Sequence, residues 1–391
     1  MALGNAAMIG GHIIWVAFSG LIGAQLAPKP GLATLPLALV LTTLALSAGP
    51  ISALMGRHGR RAGFYLGAMA AIASAALALV AIEAGSFTLL CIAALLQGPT
   101  SAAAQFFRFA AAELAGHARA SKAVGFVLFG HIIAALSVPP LVAATGVLAK
   151  NLGYAAFGAA MIYGVLALLP PALLRFVETP PAPVPAEAPP RRRWRLQGGF
   201  LRRPFYWVGL STAAFGNGAM SLLMAAAPLA MVGAGHATHH STQIMQYHII
   251  AMFLPSLVAG WLIARLGLAL VIGLGILALA STVAISMGGM SLAHFGWGMI
   301  LLGIGWNFTF VAGTTIVART HDAAERGAAQ GLNDSAVFGT AAFTSLAAGG
   351  LIDSVGWQGL NLISAVFVAL IVAANVAFYG VNAKARQRTD I

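Results

Sequence analysis

Carboxylates are scarce in this sequence, with nine Asp and Glu in 391 residues. All charged residues together make up 8% of the chain, against about a quarter in an ordinary soluble domain. Such a chain cannot coat a water-soluble globule. Cys91 is the single cysteine. That excludes an intrachain disulfide and any Cys-x-x-Cys metal or redox motif. No phosphate-binding loop is present, and no polar stretch is long enough for a nucleotide domain, so an ATP-driven pump is not expected. No nucleophile stands beside a base, so neither an enzyme nor a catalytic cofactor is expected. A basic leader is missing too. The first apolar run therefore reads as a membrane span and not as a cleavable signal.

What the chain has in quantity is apolar length. Apolar residues make up 60%, and runs of the ~20 residues that cross a bilayer as a helix recur throughout. Twelve can be marked, at 6–26, 34–55, 63–84, 88–112, 123–143, 154–177, 204–230, 242–264, 268–290, 294–318, 330–352 and 358–380. Lys and Arg orient them. Arg57, Arg60, Arg61, Arg119, Lys122, Arg319 and Arg326 fall in gaps that share one side. So do the central Arg191, Arg192, Arg193, Arg195, Arg202 and Arg203, and the terminal Lys384, Arg386 and Arg388. The opposite side receives Lys29 and Lys150. This asymmetry puts both termini in the cytoplasm of a bacterial inner-membrane protein. The net charge of +12 is then a topology signal that seats the basic centre beside anionic lipid, and it implies no nucleic acid.

The segment "VETPPAPVPAEAPPRRRWRLQGG", Val177 to Gly199, cannot cross lipid. It separates six spans from six. The expected organisation is an N-terminal bundle over 1–179, a cytoplasmic Pro/Arg-rich linker over 180–203 and a C-terminal bundle over 204–391. The halves echo each other. "GNAAMIGGH" (Gly4 to His12) matches "GNGAMSLLM" (Gly216 to Met224), and "SALMGRHGRR" matches "WLIARLG". Two repeats related by an axis along the membrane normal are one known transporter plan. In these features the chain resembles the major facilitator superfamily over its whole length. The loop after the second span keeps Arg57, Gly59, Arg60 and Arg61 of that family's signature, with Gly56 in place of the usual acid and Ser52 in place of the leading Gly. The resemblance implies an all-α membrane protein of twelve transmembrane helices in two six-helix bundles, working as a monomer, with spans one, four, seven and ten along a central path.

Soft donors gather near that path. Met220 and Met224 are four apart on span seven, one above the other on a helix face, and Met231 lies near the same stripe. Span eight places Met245, His248 and Met252 on one face. Folding the hairpin about His236 brings Met220 level with Met252 and Met224 level with His248. By chance a Met-x-x-x-Met pair is expected about 0.4 times and a His-x-x-x-Met about 0.3 times, so neither motif alone exceeds ordinary packing methionine. Together they form two facing layers of thioether and imidazole. Such uncharged soft donors suit Cu(I), whereas zinc, calcium and magnesium want thiolate, carboxylate or carbonyl ligands.

On these residues the chain resembles a narrower group, the CcoA-like copper importers of bacterial inner membranes. Their marks are Met-x-x-x-Met in helix seven and His-x-x-x-Met in helix eight, met here by Met220, Met224, His248 and Met252. That resemblance implies import of copper as transported substrate, supply of cbb3-type oxidase assembly, and copper-handling proteins as partners. The same wider group includes riboflavin importers, and riboflavin or another small organic solute is the competing cargo, for which Trp15, Trp306 and Asn307 offer aromatic and polar contacts. Met8 and His12 extend a possible metal path on span one. His236, His239 and His240 form a possible capture loop outside. Asp334, inside span eleven, is a candidate for coupling, and Asn217 and Asn307 for polar contacts in the cavity.

Overall fold

The computed structural model describes residues 1–107, 110–111, 114, 120–173, 199–321 and 325–389. Among them the chain is helical, with no strand. The helices are α1 (Ala2–Leu26), α2 (Leu35–Glu83), α3 (Phe87–Gln105), α4 (Ala120–Gly146), α5 (Leu152–Leu166) and α6 (Leu169–Leu173), followed by α7 (Pro204–Gly233), α8 (Thr238–Phe253), α9 (Ser256–Met287), α10 (Leu292–Arg319) and α11 (Arg326–Thr389). Nine apolar stretches among the described residues are long enough to cross a membrane. Three of these, Pro30–Glu83, Thr238–Met287 and Ala329–Phe378, run 54, 50 and 50 residues, about two crossings each. All three turn back at a glycine with positive φ: Gly59 (φ 82°, ψ 162°), Gly267 (φ 81°, ψ 163°) and Gly356 (φ 68°, ψ −174°). A β-carbon is strained in that region, so glycine makes the turn possible. Among the described residues this amounts to twelve crossings, the number the hydropathy pattern predicts. Gly59 and Gly267 hold the same backbone conformation at matching points of the two halves, a repeat written into the main chain.

One expected span is interrupted. The run 242–264 reads as continuous, but α8 ends at Phe253 and α9 begins at Ser256. Pro255 carries no N–H to continue the helical ladder. Elsewhere helix starts follow their caps. Ser86 Oγ accepts from the Leu89 amide at 3.3 Å, and Asn151 Oδ1 from the Tyr154 amide at 3.1 Å.

Within the first half α1 packs on α2, α3, α4 and α5, and within the second α7 packs on α10 and α11. The halves meet through α1 on α7, α2 on α11 and α4 on α8. Their closest joints lie at the Arg-poor end. Thr34 Oγ1 accepts from the Gly349 amide at 2.9 Å, and Gly31 lies against Gly350. Farther in, Gly20 lies over the Ala225 carbonyl. The expected linker falls outside the described residues over 180–198. Its end is anchored: Arg203 Nη1 donates to the Thr320 carbonyl at 2.8 Å, and Glu325 Oε1 accepts from the Phe200 amide at 3.2 Å.

Candidate functional site

Two rows of three residues, each at four-residue spacing, interlock where α8 gives way to α9. One row is His248, Met252 and Ser256, and the other, on α10, is Met299, Gly303 and Asn307. His248 Nδ1 lies 2.7 Å from the Met299 carbonyl. At Gly303 a β-carbon would stand 2.7 Å from the His248 carbonyl and 2.9 Å from the Met252 amide nitrogen, so only glycine allows this approach. Asn307 Nδ2 donates to the Met252 carbonyl at 2.7 Å and to Ser256 Oγ at 2.5 Å. It therefore bridges the break that Pro255 opens, which is how irregular backbone is satisfied within a membrane. A carbonyl can only accept, so Nδ1 of His248 carries the proton and Nε2 keeps its lone pair. That Nε2 is buried and has no hydrogen-bond partner.

Met220, Met224 and Met252 are buried, with 4%, 5% and 8% of their surfaces exposed. They join Met8, Met231, Met245 and Met299 in one buried cluster. The turn at Gly235 (φ 85°) makes α7 and α8 antiparallel. At 1.5 Å per residue from that turn, Met224 and His248 lie at similar depth, as do Met220 and Met252. Among the described residues no three His, Cys, Asp or Glu side chains come together to hold a metal. Thioethers with a single imidazole are the donor set this region offers.

The twin motifs on α1 and α7 place an asparagine each, and both bridge to the matching crossing of their own half. Asn5 Nδ2 donates to the Val127 carbonyl at 3.0 Å, and Asn217 Nδ2 donates to the Val337 carbonyl at 2.9 Å. The amide oxygens differ in their partners. Asn217 Oδ1 accepts from Trp306 Nε1 at 2.7 Å, whereas Asn5 Oδ1 is buried without a partner. Met8 is fully buried, with its sulfur beside Gly67. His12 is half-buried, its Nδ1 2.9 Å from Ser101 Oγ.

The three outer histidines do not form a free loop. His236 Nε2 lies 2.7 Å from the Met290 carbonyl. His239 and His240 already belong to the first turn of α8, because the helix starts at Thr238 behind an extended Ala237. Their rings are 4.0 Å apart. Asp334 is exposed on α11 and accepts from Asn333 Nδ2 at 3.2 Å.

Sequence reasoning singled out Trp306 but missed the company it keeps. Trp306 stacks on Phe310 at 5.1 Å and meets Phe253 edge-on at 5.9 Å. From the other half, the His131 ring lies 4.2 Å from Phe253. Trp306, Phe310 and Phe253 are each half-buried. Together they make an aromatic band between the halves. Its aromatic members come from two helices and His131 from a third, so no single periodicity marks it.

Comparison with known proteins adds the following. The sequence pattern described as Major Facilitator Superfamily matches residues 1–333 and 244–390. The riboflavin transporter RfnT of Brucella anthropi is 36% identical over 359 residues, covering 92% of this chain and 89% of that protein. An uncharacterized MFS-type transporter of Bacillus subtilis, YdeG, is 28% identical over 91% of this chain and 86% of its own. Among solved structures, the inward-open xylose transporter XylE of E. coli superposes with a TM-score of 0.72 at 12% identity, covering 95% of this chain and 94% of that one. At that identity the likeness concerns the fold alone.

Proposed function

Since the chain belongs to the major facilitator superfamily, a family of transporters, we propose that it imports riboflavin, or a flat heteroaromatic solute of that kind, by alternating access. The observation that carries the cargo is the 36% identity to a riboflavin transporter along nearly the full length of both chains. The aromatic band supports it. Trp306 and Phe253 offer ring faces and edges to an isoalloxazine, and each aromatic pair contributes about 0.5–1.5 kcal/mol beyond its buried area. Lys and Arg placement sets the Arg-rich end and both termini in the cytoplasm of an inner-membrane protein. The Arg-poor end, where Thr34 joins Gly349, then faces outward. Each chain holds its own path and acts as a monomer among lipids.

A second reading has its own observation. His248 Nε2 is a buried lone pair without a partner, its other nitrogen held by a backbone carbonyl, as metal-bound histidines are held. With Met220, Met224 and Met252 it suits Cu(I). The relatives lend copper no support, and copper-handling partners stand or fall with it. Under this reading Met8, His12, Met231 and Met245 continue the path, and His236, His239 and His240 gather the ion outside.

A riboflavin auxotroph expressing the chain should grow on limiting external riboflavin. Growth no better than the empty vector, beside restored uptake of radioactive copper in a copper-import mutant, would replace the first reading by the second.

A further inference from the structure

The first half holds a polar cluster that neither motif predicted. Gln97 on α3 is 2% exposed, and its Nε2 is buried without a partner. An unpaired amide of this kind is destabilising unless something else satisfies it. Across from it stands Gly11 of α1. A β-carbon there would lie 3.6 Å from Gln97 Nε2 and 3.9 Å from Oε1, so the missing side chain leaves a cradle beside both ends of the amide. One turn along α3, Ser101 Oγ sits 2.9 Å from His12 Nδ1 and 3.3 Å from the Gln97 carbonyl. The contact with Ser101 holds the His12 imidazole beside the cradle. Gln97 lies inside span four, one of the four spans that the family resemblance sets along a central path.

We propose that Gln97 is a specificity-determining residue that reads a lactam or imide edge of the solute, with Gly11 as the floor of its subsite. A carboxamide presents one donor and one acceptor side by side. Its complement is a ring edge with one carbonyl and one N–H, such as C4=O and N3–H of an isoalloxazine. A carboxylate or an amine leaves one of the two Gln97 atoms unpaired. The ring then lies with its polar edge on the first half and its faces toward the aromatic band of the second. This rests on the riboflavin reading and deepens it.

The test compares riboflavin with N3-methylriboflavin, which lacks the N–H. Binding to the purified full chain is followed by quenching of flavin fluorescence. The wild type should bind the methylated flavin about 10- to 100-fold more weakly, the range expected when a buried polar group loses its partner. Gln97→Met should bind both flavins alike, with riboflavin weakened. Gly11→Ala should weaken riboflavin by filling the cradle. Without ligand, Gln97→Met should melt no lower than the wild type, because it removes an unpaired buried amide. That measurement separates loss of recognition from loss of fold. Equal binding of both flavins by the wild type, or discrimination surviving in Gln97→Met, overturns the subsite and leaves the riboflavin reading intact. If neither flavin binds the wild type, the riboflavin reading fails and the subsite fails with it.

Discussion

Replacing Asn217 with Ala should cost far more than replacing Asn5, although the two occupy matching places in the repeat. Asn217 makes two good bonds, to the Val337 carbonyl at 2.9 Å and from Trp306 Nε1 at 2.7 Å. Hydrogen bonds between membrane helices average about 0.6 kcal/mol each, so the pair accounts for about 1 kcal/mol. Truncation also leaves the indole N–H without its acceptor, which adds about 1–3 kcal/mol. The expected loss is about 2–4 kcal/mol. Asn5 makes one comparable bond, at 3.0 Å, and a marginal 3.4 Å contact to His131. Its Oδ1 is already unpartnered, so its removal is no loss, and Asn5→Ala should cost about 1 kcal/mol or less. Unfolding of purified protein in detergent, followed by intrinsic fluorescence, measures both. Adding Trp306→Phe to Asn217→Ala removes the orphaned N–H and should recover most of that term, a coupling that a double-mutant cycle reads directly. Equal losses at Asn5 and Asn217, or no recovery in the double variant, would refute this account of the bridge.

Gly303→Ala should destabilise the protein and abolish uptake, since its methyl meets the His248 carbonyl at 2.7 Å and the Met252 amide nitrogen at 2.9 Å. Gly260→Ala, with nothing within 4 Å, should be neutral or slightly stabilising in the same melts. Met220→Leu, Met224→Leu and Met252→Leu keep side-chain volume and should each cost under about 1.5 kcal/mol. Riboflavin uptake should survive all three, whereas a copper carrier should lose copper uptake with each. Replacing His236, His239 and His240 together should leave riboflavin uptake unchanged, and in a copper carrier should slow uptake only when copper is scarce, as a concentration series would show.

Hydropathy and charge placement made the twelve crossings legible, because every bilayer helix must hide its backbone polar groups and show apolar side chains. The repeat was legible in the paired Gly-Asn-x-Ala-Met motifs, and the structure gives both asparagines the same bridging bond. The spacing of Met220, Met224, His248 and Met252 was visible, but the anchor of His248 was not. Its partner is the main-chain carbonyl of Met299, and a carbonyl acceptor belongs to every residue alike. Asn307 could be named as a polar residue on the path, yet its work follows from the break at Pro255, 52 positions earlier in the sequence. Gln97 escaped notice for a related reason. An unsatisfied amide is defined by what fails to surround it, and that is set by Gly11 on another helix.

Cargo identity is the central claim, and counterflow in proteoliposomes tests it without the cell. Vesicles holding the purified chain are loaded with unlabelled riboflavin and diluted into a trace of labelled riboflavin. The account predicts transient accumulation of label above the equilibrium level, abolished by Trp306→Ala and unchanged in Met252→Leu. No accumulation of flavin, together with entry of Cu(I) that Met252→Leu and His248→Ala eliminate, would contradict it.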